Sequence, residues 1–140
     1  MTPLFLDDLH VGQSAELTRI VQAGDLQTFA DVTGDCNPVH LDEAYAAGTP
    51  FGGRIAHGML SAGYISAVIG TKLPGPGAIY VSQSLRFRRP VHIGDAVTAH
   101  AEITAIDQAR ARVTLKTTCL VAGVAVLDGE AQIIAPRREA

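Results

Sequence analysis

"GGRIAHGMLSAGYISAVIGTKL", residues 52–73, decides the architecture. From Met59 to Ile69 the run is apolar or small all the way round a helix, with Leu60, Ala62, Ile65, Ala67 and Val68 spread over its circumference. A helix without a polar face is expected to be buried on every side. The run is about half of the ~20 residues that a membrane span needs, so protein must enclose it. Its small residues, Gly58, Ser61, Ala62, Gly63, Ser66, Ala67 and Gly70, would let other backbone come close. "LPGPG" (73–77) then breaks the helix.

Everything downstream reads as strand. Residues 79–88 alternate, with Ile79, Val81, Gln83, Leu85 and Phe87 on one face and Tyr80, Ser82, Ser84, Arg86 and Arg88 on the other. Residues 97–105 place Val97, Ala99, Ala101, Ile103 and Ala105 inside. Residues 112–121 do the same with Val113, Leu115, Thr117, Cys119 and Val121, and a last strand lies within 124–135. Upstream, residues 13–22 read as a first strand. "GDLQTFADVTGD" (24–35) reads as a short helix, with Asp25 as N-cap, Leu26, Phe29 and Ala30 on one face, and Gly34 as its stop. "DEAYAAG" (42–48) adds a helical turn capped by Asp42. This order predicts an α+β fold in one domain over residues 1–140, an antiparallel sheet wrapped round a central apolar helix. Such a sheet has open edges, and a second copy of the chain is expected to cover them in a homodimer.

Composition narrows the function classes. With 140 residues, 47% hydrophobic and 18% charged, the chain is globular in character. A net charge of −3 argues against a nucleic-acid surface. The opening "MTPLFLDDLHVG" has no basic stretch before its short apolar run and carries Asp7 and Asp8 after it, unlike a signal peptide. No apolar run reaches roughly 18 residues, so no membrane partner is expected. Cys36 and Cys119 make no disulfide framework and point to a reducing compartment. A soluble, cytoplasmic protein is the expectation.

The chemistry gathers in "GDCNPVHLD" (34–42) and "IAHGML" (55–60). Asp35 and His40 form a possible acid–base pair, and Asn37 can orient a water or its neighbours. Pro38 fixes its own backbone and pushes Asn37 away from helix. Gly58 comes just before the apolar helix, whose first turn offers free N–H groups and the positive end of the dipole, and such a terminus stabilises a developing oxyanion. Together these parts suit addition of water beside a polarised carbonyl.

"DCNPVH", then "HGML", "YVSQSLRFRRPV" and "GD", in this order and spacing, resemble the MaoC-like (R)-specific enoyl-CoA hydratases of the hot-dog fold. The resemblance runs from the first helix to the last strand. That family's motif, Asp-x-Asn-Pro-x-His, is matched at Asp35, Asn37, Pro38 and His40. The resemblance implies that the Gly58 N–H holds the thioester carbonyl oxygen, while His40 and Asp35 hold a water over C3. His40 would act as base and Asp35 would orient the water and help deliver a proton to C2. It also implies a supporting serine on the helix, matched by Ser66, and a dimer with sites at the subunit boundary. The expected partner is an acyl-CoA thioester. No metal and no organic cofactor is expected, because the helix start supplies the electrophile.

Other residues carry competing readings. Cys36 lies four residues before His40, so a Cys–His nucleophile is conceivable, but a small bystander at a free motif position is the favoured reading. Asp35, His40 and His57 could ligate a metal, yet their spacing matches no metal motif, and His57 is expected to fix the turn before the helix. His10, His92 and His100 read as surface or packing residues. Gln83 is the one polar residue on the inner face of its strand, so it either supports the helix start and the substrate site or bonds a nearby loop backbone. Arg86, Arg88 and Arg89 either meet coenzyme A phosphates or form a solvated face. Val68 and Ile69 are candidates for shaping the acyl pocket. The rival functions are a dehydratase acting on acyl carrier protein, a thioesterase and a non-catalytic acyl-binding subunit. A thioesterase of this fold usually places a carboxylate on or near the helix, and Met59 to Gly70 has none.

Overall fold

A computed structural model describes residues 1–139. A 3-10 turn (Leu6–Asp8) leads to β1 (Ser14–Ile20), α1 (Ala23–Thr33), α2 (Pro38–Leu41), α3 (Glu43–Ala47) and α4 (Gly58–Thr71). The strands β2 (Ile79–Gln83), β3 (Arg86–Phe87), β4 (Ala96–Asp107), β5 (Arg112–Val121) and β6 (Val124–Ile134) follow. The sheet is antiparallel, in the order β1-β4-β5-β6-β2, and β3 also pairs with β6. Helix α4 packs against β1, β4, β5 and β6. Its Ile65, Val68 and Ile69 are buried against Val97, Ala99, Ala101, Leu115, Ala131 and Ile133. The alanines at the centre of the sheet keep side-chain bulk low where the helix lies across it.

The expected alternation holds on β4 and β5 and stops for local reasons. On β4 the register shifts between Ile103 and Ala105, and past that bulge Ala105 is exposed. The expected strand over 79–88 is two strands. Gly129 on β6 permits the break: a Cβ there would collide with the Ser84 carbonyl, so the 84–85 corner crosses directly over it. Ile79, Val81 and Phe87 are exposed, not inward. On β2 the register against β6 shifts between Tyr80 and Ser82, which breaks the alternation, and Phe87 on β3 stands in the wall of a cavity.

Two helices also differ in detail. Helix α1 starts at Ala23 with Gln22 as its N-cap, and Asp25 sits at the third helical position. There its carboxylate accepts the Gln22 N–H at 2.9 Å, near the positive end of the helix dipole. Gly34 ends the helix at φ 82°, the left-handed conformation that suits a glycine cap. Helix α4 is not enclosed all round, because Met59, Gly63, Ser66 and Gly70 lie along an exposed stripe. An added Cβ at Gly63 or Gly70 would meet nothing within 4 Å. Among the described residues, no helix is long and apolar enough to cross a membrane.

Candidate active site

The stretch Asp35 to His40 is a small machine for aiming an imidazole. The Asp35 carboxylate accepts the Asn37 N–H at 3.3 Å, an Asx turn. The Asn37 side-chain oxygen then accepts the Val39 N–H at 3.3 Å and caps α2. Pro38 occupies the first helical turn, where its missing N–H costs nothing. His40 follows in the last turn of the same four-residue helix.

The loop before α4 fixes His40 from the other side. Its Nδ1 lies 2.8 Å from the Ile55 carbonyl oxygen. A carbonyl only accepts, so Nδ1 carries the hydrogen and Nε2 of the neutral ring keeps a lone pair. Arg54 Nε donates to the His40 carbonyl at 2.7 Å, and the Ile55 N–H donates to Val39 at 3.3 Å. Two segments fifteen residues apart are thereby stitched together around one ring.

A carboxylate oxygen of Asp35 and one ring nitrogen each of His40 and His57 lie within 4.8 Å of one another. His40 is half-buried, His57 is buried, and Asp35 and Asn37 are exposed. His57 stacks on His40 with centroids 3.9 Å apart and planes 28° apart. Rings stacked in this way direct their lone pairs along nearly parallel planes, a poor arrangement for one shared metal ion. A cavity of about 490 Å³ opens beside them, lined by His40, His57, Gly58, Ser61, Phe87, Val91 and Leu127 among others. Gly58 is the first residue of α4, so its N–H is one of the unpaired donors of a helix start. His40 and the start of α4 therefore line one largely apolar cavity, while Asp35 and Asn37 are exposed beside the His40 ring and are not among the residues that line it.

A family model described as a MaoC like domain matches residues 9–125. The chain belongs to the MaoC-like family. The (R)-specific enoyl-CoA hydratase of Rhodospirillum rubrum is 52% identical over 134 residues, covering 96% of this chain and 93% of the relative. The 3-hydroxybutyryl-CoA dehydratase of Methylorubrum extorquens is 51% identical over 136 residues, covering 97% of this chain and 87% of the relative. Among solved structures, the R-hydratase PhaJ1 from Pseudomonas aeruginosa in its unliganded form gives a TM-score of 0.93 at 51% identity, covering 97% of this chain and 88% of that one. The architecture is the α+β hot-dog fold, as the sheet and its helix had indicated.

The MaoC-like fold distributes the remaining candidates unevenly. Ser66 lies on the exposed face of α4 and does not line the cavity. Ser61, five residues earlier, is 3% exposed and does line it. Nothing in the helical pattern separated these two serines; only the packing of α4 does. Gln83 donates to Thr117 Oγ1 and to the Ser84 carbonyl, each at 2.9 Å, and accepts from the Tyr80 hydroxyl. It thus satisfies the wholly buried Thr117 within the sheet and is not among the cavity-lining residues. Val68 and Ile69 are core residues and do not line this cavity. Arg88 and Arg89 line it, but the Arg88 guanidinium is held by Asp128 at 2.9 and 3.3 Å. That half-exposed pair contributes about 0–1 kcal/mol.

The two cysteines of this MaoC-like chain differ sharply. Cys36 is exposed, whereas Cys119 is buried, donates to the Ser61 carbonyl at 3.5 Å, and has its thiol pushed up to about 12 by burial. The native protein should therefore present one thiol to a disulfide reagent near neutral pH, and two only after unfolding. Cys36→Ala should abolish that native reactivity and keep most of the turnover. A thousandfold loss of turnover with an intact melt would make Cys36 a nucleophile.

Proposed function

We propose that this chain is an (R)-specific enoyl-CoA hydratase, adding water reversibly to trans-2-enoyl-CoA to give (3R)-hydroxyacyl-CoA. The observation that carries the reading is the His40 ring, held through Nδ1 by the Ile55 carbonyl, with a ring nitrogen within 4.8 Å of an Asp35 carboxylate oxygen, in the wall of a cavity that the first residue of α4 also lines. In the proposed cycle the thioester carbonyl oxygen sits on the Gly58 N–H. His40 Nε2 takes a proton from a water oriented by Asp35. The water oxygen bonds to C3, and the displaced electron pair moves through C2 to the carbonyl oxygen, where the helix start stabilises it. The proton is then returned to C2, with Asp35 helping to deliver it. Both side chains end as they began, so no metal or cofactor is consumed. Names borne by relatives support the same substrate class, since those proteins are called enoyl-CoA hydratase and 3-hydroxybutyryl-CoA dehydratase. Incubation with crotonyl-CoA should bleach the enoyl-thioester absorbance without releasing free thiol. Bleaching accompanied by an equal release of free thiol would make the protein a thioesterase instead.

The same proposal includes a homodimer, one domain over residues 1–140, and a cytoplasmic location. The dimer is supported by two open apolar features: the β2 edge with Ile79, Tyr80 and Val81 exposed, and the Met59–Gly63–Ser66–Gly70 stripe of α4. Exposed Asp35 and Asn37 are consistent with a site completed at a subunit boundary. Two free cysteines fit a reducing compartment. Sedimentation at micromolar concentration should give a dimer; a fully active monomer would contradict it.

A further inference from the structure

We propose that His57 is a positioning residue for both members of the acid–base pair, a role that rests on the reading of Asp35 and His40 above. His57 is 2% exposed, and its Nε2 lies 3.0 Å from the Asp35 carbonyl oxygen. The carbonyl can only accept, so Nε2 carries the hydrogen and donates it. This bond reaches across 22 residues. Among the described residues, every other hydrogen bond made by residues 34–36 stays within four positions of sequence. The His57 bond is thus the tie that fixes the Asp35 backbone to the body of the fold. The other side of the same ring system does the second task. His57 stacks on His40 at 3.9 Å and packs against Phe29 at 4.5 Å, so the three rings form a short pile that sets the His40 plane.

The choice of imidazole is itself informative. Nδ1 of His57 is buried and has no hydrogen-bond partner. Burying a bare polar nitrogen costs free energy that a phenyl ring in the same pile would not incur. What imidazole adds over phenyl is the Nε2–H to Asp35. A residue that only fixed the turn before α4 would gain nothing from that donor.

His57→Gln keeps an N–H donor of similar reach and loses the stack, whereas His57→Phe keeps the stack and loses the donor. His57→Leu keeps neither. Steady-state hydration of crotonyl-CoA and thermal melting are measured for all three, beside Asp35→Asn and His40→Gln. We expect native melts, KM within about threefold of the parent, and kcat lowered on the order of 10–100-fold in the Phe variant. The Gln variant should recover part of that loss, and the Leu variant should be the slowest. Parental kcat in His57→Phe would overturn the tie to Asp35, and parental kcat in His57→Gln would overturn the setting of the His40 plane. Failure of both apolar variants to fold would overturn it too, by making His57 a folding residue. Parental rates in Asp35→Asn and His40→Gln would instead remove the acid–base pair itself.

Discussion

Asp35→Asn and His40→Gln should each lower hydration of crotonyl-CoA by about 10²–10⁴-fold, the usual contribution of a positioned acid or base. Both substitutions nearly preserve shape. The amide of Asn still offers an oxygen to the Asn37 N–H, so the turn before α2 survives. Gln at position 40 can donate to the Ile55 carbonyl in place of Nδ1, but it offers no basic nitrogen to a water. Stability should therefore change little, since Asp35 is exposed and His40 only half-buried. The double variant should lose far less than the product of the two single losses, because both groups act on one water. Melting curves measured alongside separate lost chemistry from lost fold. A parental rate in either well-folded single variant would contradict the assignment.

Gly58→Ala is the second large effect. Gly58 is not among the residues with positive φ, so alanine suits the backbone and favours the helix. The obstacle is Phe87: a Cβ at position 58 would lie 2.5 and 2.7 Å from two carbons of its ring. Either the ring swings out of the cavity wall or the start of α4 shifts, and the second moves the N–H that faces the carbonyl oxygen. Displacing an oxyanion donor costs on the order of 10²–10³ in rate, and we expect a loss of about that size with little change in the melt. Phe87→Ala in the Gly58→Ala background should recover at least part of it by removing the clash. A parental rate in Gly58→Ala would contradict this prediction and show that the Phe87 ring gives way while the start of α4 stays in place.

Much of this was legible in sequence where local pattern carries the physics. Period-two alternation located β4 and β5 because their inner faces are buried along most of their length. The spacing of Asp35, Asn37, Pro38 and His40 was readable because turn, cap and helix start are all built from neighbours in sequence. What failed to show was tertiary. The break between β2 and β3 depends on Gly129, which meets Ser84 only across the sheet. The open stripe on α4 looks in sequence like every other face of that helix, because an apolar or small residue is compatible with burial by this chain or by another. For the same reason Ser61 and Ser66 could not be told apart. The link from His57 to Asp35 uses a backbone carbonyl, and any residue type supplies one, so no side-chain pattern announces it.

The most direct test of the account is the fate of crotonyl-CoA in heavy-oxygen water, with the product resolved by chirality and mass. Water held by Asp35 and His40 against an enoyl thioester on the Gly58 N–H predicts one heavy oxygen at C3, an intact thioester and (3R)-hydroxybutyryl-CoA. Label in a released carboxylic acid, a (3S) product, or unreacted crotonyl-CoA at high enzyme concentration would contradict it.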